Sequence, residues 1–227
     1  MKLSIIVPVL NEADGIAVAL HALAPLRARG VEVIVADGGS RDRTLALACS
    51  FADNVISAPR GRAVQMNSGA KIAEGNVFVF LHADTRLPDN ADQLIVEGLA
   101  RSGRNWGRFD VRIEGGGSLN LVAALMNARS RLTGIATGDQ AMFVTREAFT
   151  AAGGFPAIAL MEDVALSRAL KRQGPPLCLR VRVVTSPRRW RRHGLLRTVL
   201  LMWRLRLAYF LGADPAKLAQ AYVPHER

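Results

Sequence analysis

The stretch VFVFLHADT, residues 77–85, joins five apolar residues to a histidine and an aspartate. An apolar run rich in β-branched and aromatic residues predicts a buried strand. Asp84 then lies where that strand ends, shortly before Pro88. In an open α/β sheet, ligands bind in the crevice beyond the carboxyl ends of the strands. A carboxylate at that point is either structural or, as we favour in a chain this basic, binds a divalent metal that bridges the protein to an anionic substrate.

Short apolar strands alternate with amphipathic helices over the first hundred residues. We predict strands at 3–9, 31–36, 54–57 and 77–81, and helices at 13–28, from 40 or 42 to about 52, at 62–73 and at 90–100. Such a β-α-β order with short connections indicates a parallel sheet with helices on both faces.

The pattern changes after residue 104. Trp106–Ile113 alternates polar and apolar side chains, which predicts a half-exposed antiparallel strand. Further helices are predicted at 119–132, 164–172 and 195–211, and strands at 141–145 and 177–184. The fold class is therefore α/β, a mostly parallel sheet with a short antiparallel extension and a C-terminal helix. No repeat or linker divides the 227 residues, so we expect one domain.

The net charge of +11 is concentrated near the C-terminus. Residues 168–227 carry +12 and residues 1–167 carry −1. This asymmetry predicts an anionic partner, namely a membrane surface, a diphosphate or nucleic acid, unless the segment is only a solvated basic face. Cys49 and Cys178 stand apart in apolar contexts, and the residues after Met1 lack a basic n-region and a small-residue cleavage site, so we expect no signal peptide. We therefore expect a cytoplasmic protein with reduced core thiols.

Polar residues also follow the first two predicted strands. Pro8, Asn11 and Glu12 close the first, without the glycine-rich loop of a dinucleotide site. Asn11 and Glu12 either line the crevice and meet a base or ribose, or serve the start of the next helix. Asp37 closes the second strand and either accepts a hydrogen bond from a base such as uracil or belongs to an ordinary turn.

Four further residues are candidates for substrate contacts. Arg62 stands at a helix start, where it either binds phosphate or is solvated. His82 is either a second metal ligand or a hydrogen-bond partner. Asp139 and Gln140 form a polar turn that either shapes an acceptor pocket or is only a loop.

Two acidic residues and a basic segment complete the set. Glu162 and Asp163 precede a predicted helix, and such a carboxylate is either a general base or a partner of the helix dipole. Within the basic segment 186–192, the Trp190 indole either stacks on a sugar, anchors at a membrane, or packs in a loop, while Arg189 meets phosphate.

The predicted helix 195–211 is apolar around most of its circumference. Three arginines in 17 residues, Arg197, Arg204 and Arg206, argue against a membrane-spanning helix. The helix either lies on a bilayer with its arginines at anionic headgroups, or forms a core or homodimer contact with snorkelling arginines.

Taken together, these segments resemble the family-2 inverting glycosyltransferases of GT-A fold. The matching segments are IIVPVLNE at 5–12, VADGGS at 35–40, LHADT at 81–85 and Glu162-Asp163. Further segments are similar to a small bacterial subgroup, the selenium-domain-associated or arsenosugar-biosynthesis-type transferases: GRAVQMN at 61–67, GDQ at 138–140, GGF at 153–155 and RRW at 188–190.

The resemblance implies a nucleotide-diphosphate sugar donor, with a UDP-sugar favoured, and Mn²⁺ or Mg²⁺. It implies that Asp37 meets the base, that Asp84 binds metal in a DxD-like motif, and that Asp163 is the catalytic base. His82 replaces the first Asp of that motif. Residues 1–104 would be the nucleotide-binding half, 105–193 the acceptor half and 194–227 a basic helical segment. The acceptor would be a small molecule or a lipid phosphate, at the inner membrane face if it is a lipid.

Two other classes fit less well. A nucleotidyltransferase would need a Gly- and Arg/Lys-rich loop after the first strand, which residues 8–12 lack. A non-catalytic basic module for membrane or nucleic acid would leave Asp37, Asp84 and Asp163 without a role, so nucleic acid is a disfavoured partner. Pro187 stands where processive synthases have the Gln of QxxRW, which disfavours that class as well.

Overall fold

The computed structural model describes residues 1–222, and its strands form one eight-stranded sheet. The strands are β1 Leu3–Val9, β2 Glu32–Asp37, β3 Asn54–Ser57, β4 Val77–Phe80, β5 Thr85–Arg86, β6 Trp106–Ile113, β7 Phe143–Thr145 and β8 Leu177–Thr185. Their order across the sheet is β3-β2-β1-β4-β7-β6-β8-β5.

Strand direction follows the predicted plan. The strands β1, β2, β3 and β4 are mutually parallel, and β6 is parallel to β8. Strand β7 is antiparallel to its neighbours β4 and β6, and β5 is antiparallel to β8. This confirms a mostly parallel sheet with an antiparallel part. Val9 is in register with Asp37, and Asp37 with Ser57. The polar segments after β1 and β2 therefore leave the sheet at one edge.

Eleven helices and a short 3-10 turn, Gly138–Gln140, complete residues 1–222. The helices are α1 Ile16–His21, α2 Ala24–Ala28, α3 Thr44–Ala48, α4 Arg62–Ile72, α5 Ala91–Ser102, α6 Ser118–Thr133, α7 Arg146–Ala151, α8 Glu162–Lys171, α9 Arg188–His193, α10 Leu195–Phe210 and α11 Pro215–Tyr222. The single helix predicted for 13–28 is two helices, because Pro25 is tolerated in the first turn of α2 but not inside a continuous helix.

Both faces of the sheet are covered by helices, as predicted. Along β1, Ile5 and Val7 join a cluster that includes residues of α1, α2 and α5, while Ile6 joins a second cluster with α4, α7 and α8. Alternate side chains of a strand point to opposite faces, so each strand contributes to both clusters. The two clusters hold the sheet edge in place.

The prediction of a half-exposed β6 was wrong. The side chain of Arg108 is fully buried, and Asp110 is 6% exposed. Arg108 and Arg131 both pair with Asp110, and Arg108 Nη2 also donates to the Asn127 carbonyl at 3.3 Å. Because these charges are paired under α6, they can occupy a buried strand. β6 is antiparallel to β7 on one side but parallel to β8 on the other.

A third cluster links the C-terminal helices to α8. Met161 and Val164 pack with Leu205 of α10 and with Leu218 and Tyr222 of α11. The helix predicted at 164–172 begins earlier, so Glu162 and Asp163 lie in its first turn and not in a loop. No helix within residues 1–222 has the length and hydropathy needed to cross a bilayer. Both cysteines are free thiols, but Cys49 is exposed, contrary to the predicted core position.

Candidate active site

The turns after β1 and β2 are tied together by hydrogen bonds. The Asn11 N–H donates to Ser40 Oγ at 2.8 Å, and Asn11 Oδ1 accepts from the Arg41 N–H at 2.9 Å. Asp37 Oδ2 accepts from the N–H groups of Gly39 and Ser40, both at 2.9 Å. Asp37 is only 1% exposed. The structure thus shows the turn interaction of Asp37, and its contact with a base stays a prediction.

Gln65 supports this edge and was not among the predicted site residues. Its Nε2 donates to the carbonyls of Val9 at 2.8 Å and Ala36 at 2.7 Å, and the side chain is 3% exposed. A Cβ at Gly38 would lie 2.9 Å from Gln65 Oε1. Pro8 is in register with Ala36 at the same place. The sequence signal that could have revealed this role is a glutamine at a position of α4 that faces the sheet.

Glu12 connects the edge to the basic C-terminal segment. Arg188, the first residue of α9, donates from both terminal nitrogens to the Glu12 carboxylate, at 2.9 and 3.1 Å. The Glu12 N–H donates to Thr44 Oγ1 at 2.8 Å. The alternative in which the side chain of Asn11 or Glu12 caps the next helix is wrong, because α1 has no side-chain cap hydrogen bond.

The end of β4 packs on the 3-10 turn. His82 Nδ1 lies 3.5 Å from Asp139 Oδ1, and a Cβ at Gly138 would lie 2.2 Å from the His82 ring. Burial opposes ionisation of Asp139, but the hydrogen bond and charge of His82, with the charges of Arg189 and Arg62, hold the pKa of Asp139 well below its usual value. The structure thus brings four predicted residues into one electrostatic group.

The same turn holds the candidate base. The Gly138 N–H donates to Asp163 Oδ2 at 3.0 Å, and the Val164 N–H donates to Asp163 Oδ1 at 2.7 Å. Glu162 is 7% exposed, and burial, followed by the charge of Asp163, raises the pKa of Glu162. Met161 precedes α8 in the left-handed conformation, φ 70°, which starts the helix at these two carboxylates. The raised pKa shifts the protonation equilibrium of Glu162 towards the neutral form.

Gln140 is a buried support, fully shielded from solvent. Its Nε2 donates to Asn127 Oδ1 at 3.4 Å, and its Oε1 accepts from the Thr137 N–H at 3.3 Å. Asn127 also bonds the N–H and carbonyl of Val111, both at 2.9 Å. The Asp139–Gln140 turn is therefore fixed to α6 and β6. Asn127, a polar residue at an inward position of a helix, is a second residue that the sequence analysis missed.

Within residues 1–222, the carboxylate of Asp84, the candidate metal ligand, makes only a long hydrogen bond, from Thr85 Oγ1 at 3.4 Å. Its carbonyl accepts from the Ser186 N–H at 3.0 Å, which fixes the backbone. Residues 1–222 hold no group of three or more His, Cys, Asp and Glu suited to a metal. The half-buried Asp84 carboxylate therefore fits an ion such as Mg²⁺ or Mn²⁺ that takes its other ligands from substrate phosphates and water.

The two residues predicted in the basic segment have different surroundings. The Arg189 guanidinium lies 5.0 Å from the centre of the Tyr222 ring, and its charge acts on Asp139. Trp190 is half-buried and packs against the main hydrophobic cluster. The packed alternative is thus observed for Trp190, and its contact with a sugar stays a prediction. Arg188 to His193 form a helix and not the predicted basic loop.

This sheet order, with carboxylates at the edge formed by β1, β2 and β4, matches the GT-A fold. Residues 4–150, more than half of the chain, match glycosyl transferase family 2. The chain belongs to that family. The subgroup suggested by the sequence motifs stays a prediction.

Named relatives match only part of this chain. A PGL/p-HBAD biosynthesis glycosyltransferase of Mycobacterium bovis is 36% identical over 91 residues, which cover 37% of this chain and 36% of the relative. The uncharacterized glycosyltransferase YibD of Escherichia coli is 29% identical over 92 residues, covering 38% of this chain and 27% of YibD. The match therefore spans about a third of the length of these relatives.

Solved structures match most of the chain. The mannosyltransferase PcManGT of Pyrobaculum calidifontis, in complex with GDP-Man and Mn²⁺, superposes with a TM-score of 0.68 and 20% identity over 99% of this chain and 69% of that one. Staphylococcus aureus TarS in complex with UDP has a TM-score of 0.68 and 20% identity, over 82% of this chain and 60% of that one. At these identities the likeness shows the fold.

Proposed function

We propose that the chain transfers a sugar from a nucleotide-diphosphate sugar, with a UDP-sugar favoured, to an acceptor in a single displacement that inverts the anomeric carbon. The observation that carries this proposal is the link through Gly138. Its N–H donates to Asp163 Oδ2, and a Cβ added at Gly138 would lie 2.2 Å from the ring of His82, two residues before Asp84. The 3-10 turn therefore adjoins both the start of α8, which carries the candidate base, and the end of β4, which leads to the candidate metal ligand.

The donor would occupy the edge after β1 and β2. Pro8, Asn11, Glu12 and Asp37 would contact the base and ribose, and the fixed turns would present a preformed surface to the ligand. Arg62 begins α4, and its charge acts on both Asp139 and Glu162. With Arg189 it places two guanidinium groups near the position proposed for the diphosphate, a group that arginine binds well.

A divalent ion, Mn²⁺ or Mg²⁺, would be held by Asp84 and would stabilise the charge on the departing nucleoside diphosphate. His82 is engaged with Asp139, so its proposed role is to orient the turn and contact substrate. The position of Asp84 supports this assignment, because the Ser186 bond fixes its backbone while its side chain stays half-exposed.

Asp163 would take the proton from the acceptor hydroxyl. Each of its oxygens accepts one backbone N–H, and a carboxylate oxygen has two lone pairs, so each keeps one for an acceptor. Burial, followed by the charge of Asp163, raises the pKa of Glu162, so the two neighbouring carboxyls differ in their environments. Two adjacent carboxyls with different environments are a usual arrangement for acid-base chemistry.

The acceptor is a small molecule or a lipid phosphate, and we place the protein in the cytoplasm with peripheral contact to an anionic membrane. The exposed apolar face of α10 supports the membrane contact. A homodimer through that face is the alternative.

A panel of nucleotide sugars tests the proposal by thermal shift, with and without Mn²⁺, because binding to the native state raises its stability. We expect a Mn²⁺-dependent rise in melting temperature for one donor and for its free diphosphate. Transfer should then release nucleoside diphosphate and give a product of inverted anomeric configuration by NMR. Release of pyrophosphate would indicate a nucleotidyltransferase, and the absence of any nucleotide response would favour a non-catalytic module.

A further inference from the structure

One face of α10 carries an exposed apolar stripe. Its five large side chains are between 60% and 75% exposed: Leu196, Leu200, Trp203, Leu207 and Phe210. At 3.6 residues per turn they fall within an arc of about 80°. The opposite face is the one that packs on the protein, through the buried Thr198 and Leu205. α10 is thus apolar on two opposite faces, and only one of them is covered within residues 1–222.

Cations border this stripe. Arg197, Arg204 and Arg206 lie about 80–100° from its centre, on both sides. α10 contains no Asp or Glu, and α9 adds further arginines directly before it. An apolar stripe that includes a tryptophan and is bordered by arginines has the composition of a helix lying in a membrane interface.

We propose that this face of α10 docks on a bilayer that contains anionic lipids. Charge complementarity favours this occupant over a second copy of the chain, because a symmetric dimer would bring two arginine borders together. Docking would also place the sheet edge that carries the candidate active site near the bilayer surface. Gly194 joins α10 to α9, and Arg188 of α9 is hydrogen-bonded to Glu12 in the turn after β1. This inference does not depend on the proposed transfer reaction.

Co-sedimentation with vesicles tests the docking, using 70:30 phosphatidylcholine:phosphatidylserine and pure phosphatidylcholine. Wild type should bind the anionic vesicles more tightly. Leu207→Glu should weaken binding by about tenfold or more, since a leucine is no longer buried and an anion is introduced. Val18→Glu is the matched control, because Val18 is 71% exposed on α1. Arg197→Gln should cost about fivefold on anionic vesicles alone.

Binding that is lost in Leu207→Glu and kept in Val18→Glu supports the docking face. Equal binding by both variants overturns it. So does a wild type that ignores vesicles and is a dimer by light scattering, with Leu207→Glu a monomer, because the stripe would then be a contact between copies.

A second observation concerns Arg129 of α6. Its Nε and Nη2 are shielded from solvent and have no hydrogen-bond partner in residues 1–222. Burial, then the charge of Arg206, lowers the pKa of Arg129 to about 10, while the charge of Asp163 opposes that shift. Two other shielded atoms without partners, Arg108 Nε and Ser130 Oγ, also belong to β6 and α6. Two shielded donors of a half-buried guanidinium without hydrogen-bond partners are costly, so their retention calls for an explanation.

We infer that Arg129, assisted by Arg206, binds a phosphate group of the acceptor whose hydroxyl Asp163 deprotonates; this inference rests on the proposed function. Two guanidinium groups suit a phosphate dianion, and arginine presents paired donors to it. Asn127, two residues earlier on α6, is bonded to Gln140, which ends the turn that holds Asp163. α6 therefore lies against that turn.

Thermal shift with glycerol 3-phosphate and with dihexanoyl phosphatidic acid tests this subsite and distinguishes a soluble from a lipid phosphate. Wild type should respond to at least one of the two. Arg129→Met should lose that response yet melt no lower than wild type without ligand, because two shielded donors without hydrogen-bond partners are removed. Arg112→Met is the charge-matched control, since Arg112 is exposed on β6.

A retained response in Arg129→Met overturns the subsite, as does a clear fall in its melting temperature without ligand, which would make Arg129 structural. So does a wild type that responds to neither phosphate. The response to nucleotide and Mn²⁺ is measured on the same proteins. If that response is absent while the Arg129-dependent phosphate response is present, the donor proposal fails and the anion site stands.

Discussion

Arg188 binds the Glu12 carboxylate through two hydrogen bonds of 2.9 and 3.1 Å, although 176 residues separate them. The contact joins the start of α9 to the turn after β1. It connects the cationic C-terminal part of the chain to the sheet edge at which the donor is proposed to bind.

This pair should contribute little to stability, because the Arg188 side chain is 61% exposed. A double-mutant cycle with Glu12→Gln and Arg188→Gln should give a coupling energy of about 0.2–1 kcal/mol in denaturant unfolding. The Tm of each single variant should stay within a few degrees of wild type. A coupling far above this range would mean that the pair is a main support of the fold.

Gly138→Ala should lower both activity and stability. The new Cβ would lie 2.2 Å from the His82 ring, which must move, and overpacking of this kind costs about 1–3 kcal/mol. Gly15→Ala is the control, because no atom lies within 4 Å of the Cβ it would add. Adding His82→Ala should remove most of the Gly138→Ala cost in unfolding experiments. Equal effects of the two glycine substitutions would contradict the packing of the turn on His82.

Glu162→Gln should be more stable than wild type at pH 8 and no more stable at pH 4. The folded-state pKa of Glu162 is raised. The contribution of protonated Glu162 to the stability of wild type is therefore fully present below the usual carboxyl pKa, and it is lost as pH rises through the folded-state pKa. Glutamine does not titrate. A gain of 1 kcal/mol corresponds to about 2–4 °C in Tm at this chain length. A variant less stable than wild type at pH 8 would contradict the raised pKa.

Asp163→Asn should lower kcat by about 10²–10⁴, the usual contribution of a general base. An asparagine oxygen can still accept the Gly138 N–H while the bond from the Val164 N–H is lost, so the fold should be kept at a small cost in stability and the affinity for nucleotide should change little. Circular dichroism and nucleotide titration provide these controls. A variant with near wild-type kcat on a hydroxyl acceptor would remove Asp163 from the proposed role.

The sequence predicted the sheet well where local patterns decide the structure. Alternating apolar strands and helices located β1, β2, β3 and β4, and the sheet edge followed from their shared direction. Prediction from the sequence failed where pairing between residues far apart in the chain decides the structure. The charges of β6 suggested exposure, but Asp110 neutralises two arginines there. β5, of two residues, exists only because it pairs with β8.

Parts of the candidate site lay beyond local patterns for the same reason. The bonds from Gln65 to two strands, from Gly138 to Asp163 and from Arg188 to Glu12 join residues 25 to 176 positions apart. No spacing within one element encodes these distances. The residue types at the sheet edge can be read from the sequence, so the candidate carboxylates could be predicted although their hydrogen-bond partners could not.

The most direct test of the account is calorimetric titration of UDP with and without Mn²⁺, comparing wild type, Asp84→Asn and Asp89→Asn. Asp89 is an exposed aspartate five residues after Asp84 and serves as the matched control. We predict that Mn²⁺ tightens UDP binding by about tenfold or more in wild type and Asp89→Asn, equivalent to about 1.4 kcal/mol, and has almost no effect in Asp84→Asn. Full Mn²⁺ dependence in Asp84→Asn would contradict the assignment of Asp84 as the residue that holds the metal and, through it, the diphosphate.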